Sequence, residues 1–138
     1  MTVKTRFLVL GATAKTGRRV AEQLQNLCHS VRAVSRGTTP SFDWTKPDTW
    51  DDVLRDIDAV YVTFQPDLAV PGSDQIIADF AARALRHGAK RLVMLSGRGE
   101  DAAQDAERTL RNSGADWTVL RANWFFQNFS EDLFLPYL

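Results

Sequence analysis

Phe7-Leu8-Val9-Leu10-Gly11-Ala12-Thr13-Ala14-Lys15-Thr16-Gly17-Arg18-Arg19-Val20 is the stretch from which the rest of the chain can be read. The four apolar residues before Gly11 form a short, uninterrupted run, the pattern of a strand buried on both faces. After Gly17 the period changes. Val20, Ala21, Leu24, Leu27 and Cys28 recur at three and four, with Arg18, Arg19, Glu22 and Gln25 between them, as on an amphipathic helix. Val31–Ser35 then reads as a second strand, so the opening thirty-odd residues are strand, tight turn, helix, strand. A parallel pair joined in this way has a right-handed crossover in nearly every known case.

The alternation continues outward. Phe42–Trp44 reads as a weak third strand, followed by a short helix through Trp50, Val53 and Leu54. Ala59–Phe64 is a β-branched and aromatic run, the fourth strand. A loop with Pro66, Pro71 and Gly72 leads to Ser73 or Asp74, either able to cap a helix that runs to about His87. Arg91–Ser96 is the fifth strand, Ala102–Asn112 a helix stopped by Gly114, and Trp117–Arg121 the sixth strand. Six strands alternating with helices predict an α/β protein with a doubly wound parallel sheet.

Composition bounds the partners. The chain has 138 residues with 17 basic and 17 acidic side chains, a formal net charge of zero, and no apolar run long enough to span a bilayer. Four apolar residues after the N-terminus are too few for a signal-peptide core, so a cytoplasmic protein without a membrane partner is expected. The single Cys28 excludes an internal disulfide, and the two histidines, His29 and His87, suit helix C-termini better than a metal site. Residues 1–40 hold seven basic groups against Glu22 alone, but these are spread over strand, loop and helix. That spread fits a small polyanion better than nucleic acid.

Gly11 to Gly17 supplies a polyanion site. A strand that ends in glycine and enters a helix through small residues turns backbone N–H groups and a positive helix end towards a phosphate. Gly11, Thr13, Ala14, Lys15, Thr16 and Gly17 are the candidate pyrophosphate residues. Arg18 and Arg19 follow the second glycine where a P-loop has Lys-Ser/Thr, which rules that motif out. At the end of the second strand, where an NAD site places a carboxylate, the chain has Ser35-Arg36-Gly37. The Arg36 guanidinium suits a 2′-phosphate, so NADP(H) is expected in preference to NAD(H), with NAD(H) still possible. The strand ends Thr63-Phe64-Gln65-Pro66 and Ser96-Gly97 should line the ribose and nicotinamide, with Phe64, Gln65 and Ser96 as contacts.

These segments, together with Leu95–Glu100 and Ser113–Arg121 through Trp124–Phe129, give the chain a resemblance that spans almost its whole length. It resembles the N-terminal half of an NmrA-like, atypical short-chain dehydrogenase/reductase, and within that group the ergot-alkaloid-biosynthesis reductase-like branch. The resemblance implies a Rossmann-type NAD(P)-binding domain over residues 1–122. Residues 123–138, with nine apolar side chains between Trp124 and Leu138, would then begin a missing substrate-binding part or form an oligomer or partner contact. It also implies an NADPH-dependent reductase acting on a C=N or activated C=C bond of a small organic molecule. Two departures stand out. Ala14 replaces the family's usual central glycine, and Glu100 and Gln104 align with the Tyr-x-x-x-Lys pair, so no catalytic residue is assigned. Hydride delivery to an iminium needs no proton donor. A non-catalytic NADP(H)-sensing module is the alternative.

Overall fold

The computed structural model describes residues 4–131. Their secondary structure opens with β1 (Arg6–Leu10), α1 (Lys15–Asn26) and β2 (Ser30–Val34). It continues through α2 (Trp50–Leu54), β3 (Ala59–Val62), α3 (Ser73–Arg86), β4 (Arg91–Gly97), α4 (Ala103–Arg111), β5 (Asp116–Ala122) and a final turn, α5 (Gln127–Ser130). The strands form one five-stranded sheet in the order β2-β1-β3-β4-β5, parallel throughout. The expected doubly wound α/β sheet is therefore present.

Its two faces are unequal. Leu8, Leu10, Val60, Val62, Leu92 and Met94 alternate onto one face, where α2, α3 and α4 cover them with Trp50, Leu54, Ile77, Phe80, Ala106 and Leu110. Val9 and Tyr61 point the other way, where α1 lays Ala21, Val20 and Leu24 against them. Complete burial of Leu8, Val9 and Leu10 explains why that run is apolar at every position instead of alternating.

Five strands replace the six expected. Phe42–Trp44 is irregular backbone, because its residues are held by side-chain contacts and not by a ladder. The Asp43 carboxylate accepts from the Thr45 amide (2.8 Å) and hydroxyl (2.7 Å), closing a local turn. Trp44 donates from its indole to the Thr63 carbonyl and Trp50 to the Asp43 carbonyl, both at 2.9 Å. Phe42, Trp44, Trp50 and Phe80 then pack as a largely edge-to-face aromatic cluster. β2 consequently stays at the sheet edge. The cap expected of Ser73 or Asp74 is also absent: Gly72, at φ +85°, is the N-cap of α3, and the Ser73 hydroxyl donates to the Leu68 carbonyl.

Candidate dinucleotide site

β1 runs outward from the switch point of the sheet, where the chain turns first to β2 on one side and later to β3 on the other. The C-terminal ends of these three strands diverge there, the place where doubly wound folds bind ligands. A cleft of about 640 Å³ opens between them, walled by Gly11, Thr13 and Ala14 after β1, by Ser35–Gly37 after β2, and by Thr63, Gln65 and Pro66 after β3. Phe42–Thr45 form its remaining wall.

Gly11 sits at φ +67°, and a Cβ built on it would stand 2.7 Å from the Thr63 hydroxyl oxygen, so conformation and space both require glycine there. Gly17 is demanded by proximity: a Cβ there would lie 2.1 Å from the Gly11 carbonyl oxygen. The start of α1 is thus pressed against the end of β1. Ala14, the N-cap of α1, has φ −81° and ψ 165°, ordinary extended backbone that does not call for the glycine usual in the family. No side chain caps α1, and no acidic residue stands in its first turn. The helix N-terminus is therefore open to an anion.

Arg36 is presented at the cleft rim by a turn in which the Ser35 amide donates to the Thr38 hydroxyl (2.9 Å) and the Gly37 amide to the Ser35 hydroxyl (3.2 Å). On the same rim lies Asp43, which the sequence reading passed over. The hydrogen bonds from Thr45 hold its carboxyl below the usual carboxylate range, with Lys46 and Arg36 adding a smaller charge effect in the same direction. The cleft therefore carries a cation and an ionised carboxylate on one rim. The Asp-x-Thr spacing was the available signal.

Half of the expected site residues meet in this cleft: Gly11, Thr13, Ala14, Arg36 and Gln65 all line it. Gly17 lies directly behind it. Lys15, at the mouth of α1, donates from Nζ to the Asn128 Oδ1 at 2.9 Å. Thr16 is hydrogen bonded to Tyr61, whose phenol is pushed up by burial beneath α1. Phe64 does not line the cleft and packs against the wall residue Trp44, at 5.0 Å between ring centroids. Ser96 is buried, and its hydroxyl donates at 2.7 Å to the carboxylate of Glu107, which is 0% exposed.

Glu107 also receives the Arg121 guanidinium through Nε (3.0 Å) and Nη2 (2.6 Å), with Arg111 at 3.3 Å. Together these hold its carboxyl below the ordinary glutamate value, the Arg121 hydrogen bond first, against the opposing effect of burial. Glu100 lies against Gly97 and Gln104 donates to Asp101, so neither forms an acid–base pair in the place of Tyr-x-x-x-Lys. No group of three or more His, Cys, Asp or Glu among the described residues is placed to hold a metal. No described helix is long and apolar enough to cross a membrane.

A glycine-pinned turn, an uncapped helix start and a cleft at the switch point are the elements of a nucleotide site, and comparison with known proteins agrees. Residues 11–133 match the model of the NAD(P)H-binding family. The chain belongs to that family. It is 27% identical over 151 residues to prestalk A differentiation protein A of Dictyostelium discoideum, covering 93% of this chain and 48% of that protein. It is 28% identical over 144 residues to agroclavine dehydrogenase of Claviceps fusiformis, covering 90% and 48%. The triphenylmethane reductase of Citrobacter sp., solved with NADP(H), superposes with a TM-score of 0.75 at 14% identity, over 91% of this chain and 51% of that one. The chain spans about half the length of the curated relatives it matches. The fold is the Rossmann-like NAD(P)-binding fold.

Proposed function

We propose that this protein binds NADP(H) in preference to NAD(H) and belongs to a cytoplasmic, NmrA-like reductase of the atypical short-chain type. The reading is carried by Arg36, which lines the cleft at the end of β2 where an NAD site offers a carboxylate. A guanidinium there pairs with a 2′-phosphate, whereas a carboxylate repels it. Gly11, Thr13 and Ala14 offer backbone to the pyrophosphate, the open amides of α1 and Lys15 offer positive charge, and Gln65 faces the nicotinamide end. NADPH, when bound, supplies a hydride.

A C=N⁺ bond is the substrate feature that suits this chain best. As hydride bonds to carbon, the π pair withdraws onto nitrogen as a lone pair, and no alkoxide needs a proton. The absence of a Tyr-x-x-x-Lys pair is then no obstacle, and the chain's task is to position and exclude water. The dehydrogenase and reductase among the similar proteins support a redox role. An activated C=C bond is the related alternative.

The test is calorimetric titration with NADPH and NADH at one salt concentration. Tighter binding of NADPH is expected. Arg36→Asp is expected to weaken NADPH by at least about tenfold, one lost charge-assisted pair, while leaving NADH within about threefold. Equal losses for both would overturn the assignment of the 2′-phosphate to Arg36.

A second reading, a sensing module that binds the cofactor without turnover and contacts another protein, is favoured by Trp124 and Phe126. These are 70% and 89% exposed beside the end of β5. Cofactor binding without reduction of any imine or activated alkene would support it.

A further inference from the structure

The C-terminal turn α5 lies against the basic first turns of α1. Asn128 Oδ1 accepts from Lys15 Nζ at 2.9 Å. The Glu131 carboxylate receives Arg19 Nη2 and, at 3.4 Å, Arg18 Nη2. Arg19 in turn donates from Nη1 to the Lys15 carbonyl at 2.9 Å, tying the second contact to the first. Residues more than a hundred positions apart therefore form one polar cluster at the start of α1. Lys15 follows immediately on Ala14, a residue of the cleft wall.

Charge makes this contact consequential. The first two turns of α1 hold Lys15, Arg18 and Arg19 with no acidic residue in the first, so three cations stand at the helix's own positive end, next to the cleft residue Ala14. A carboxylate about one helical turn away, partly shielded from water, subtracts roughly one unit from that field within a Debye length of a bound phosphate.

We propose that α5 is an affinity-setting clasp in which Glu131 offsets the α1 cations and Asn128 holds Lys15 at the phosphate end. Glu131 is a positioning and charge-balancing residue, not a ligand of the cofactor. The proposal rests on the dinucleotide reading above and adds to it that the C-terminal segment governs how strongly the pyrophosphate is held.

The experiment titrates the 138-residue protein and its Glu131→Gln and Asn128→Asp variants with NADPH and NADH at low and high salt, with thermal unfolding as a check on folding. Removing the Glu131 charge is expected to tighten both dinucleotides about two- to fivefold at low salt, with the gain fading at high salt. Both should respond alike, because the pyrophosphate and not the 2′-phosphate faces α1. Asn128→Asp, which sets a carboxylate on Lys15, is expected to weaken both by a similar factor. A merely structural contact would instead loosen binding on Glu131→Gln, or leave it unchanged, at every salt concentration; either result overturns the clasp. Unmodified protein that binds neither dinucleotide overturns the cofactor reading itself and the clasp with it. Binding that ignores Glu131→Gln overturns the clasp alone.

Discussion

A Cβ placed on Gly17 would stand 2.1 Å from the Gly11 carbonyl oxygen and 2.9 Å from that of Leu10, both backbone atoms that cannot swing aside. Gly17→Ala must therefore push α1 off the end of β1. We expect it to lower unfolding stability by about 2 kcal/mol or more, in the range of overpacked core sites, as read from the urea midpoint. A stability unchanged from the parent would mean that helix and strand are less closely packed than the structure has them. The two glycines were legible in the sequence because their task is local, a turn and a close approach within seven residues. Ser96 and Thr16 were not fully legible. Ser96 stands at the end of its strand as read and Thr16 falls inside α1 instead of in the turn before it, but the direction of each hydroxyl is set by a partner brought in by packing, Glu107 from α4 and Tyr61 from β3. Asp43 was missed for a related reason. Read as the middle of a strand it would be one alternating side chain, whereas the turn it closes with Thr45 places it on the cleft rim.

Elements are joined at the C-terminal ends of β4 and β5 by a buried carboxylate. Glu107 ties α4 to Ser96 at the end of β4 and to Arg121, its register partner on β5. Glu107→Ala leaves the buried Ser96 hydroxyl without its acceptor and the partly exposed Arg121 guanidinium without its partner, and a loss of about 1–3 kcal/mol is expected. Glu107→Gln, which keeps the shape, should lose less and should change the pH dependence. The folded-state pKa of Glu107 lies below its ordinary 4.5, so its contribution is complete above about that pH and disappears as pH falls through the depressed value. Chemical unfolding followed down from neutral pH should therefore show a shallower acid decline in Glu107→Gln; curves of equal slope would refute the linkage. Nothing in the spacing of Ser96, Glu107 and Arg121 advertised this network. The five strands and four longer helices were legible, since each buries a face whose period is written in its own residues. The expected third strand, Phe42–Trp44, failed because its two aromatic side chains reach the core and Asp43 closes a turn without a ladder.

For the whole molecule, the imbalance between the two sheet faces matters most. Among the described residues, one face is covered by three helices and the other by α1 alone, which packs over β1 and β2. Over β4 and β5 that second face leaves Val93, Leu95, Thr118 and Ala122 half-buried and Leu120 49% exposed. β5 is also the last strand in the order, so its outer edge carries unpaired backbone groups with Trp117 exposed along it. Neither proline nor lysine occurs within Asp116–Ala122 to discourage a neighbour, and Trp124 and Phe126 extend the apolar surface just beyond the strand. An exposed apolar surface of this kind favours association in water. The chain spans about half the length of these relatives. We therefore expect the 138-residue protein to self-associate with rising concentration, in keeping with the partner surface proposed for the C-terminal segment. The combined variant Leu120→Lys, Trp124→Ser, Phe126→Ser should shift it towards monomer, with the α2–α3–α4 core and the cleft untouched. Sedimentation velocity across a wide concentration range reads both results. A parent protein that stays monomeric throughout would mean that the open edge and its aromatic fringe are tolerated in water, and would remove the case for a partner at this surface.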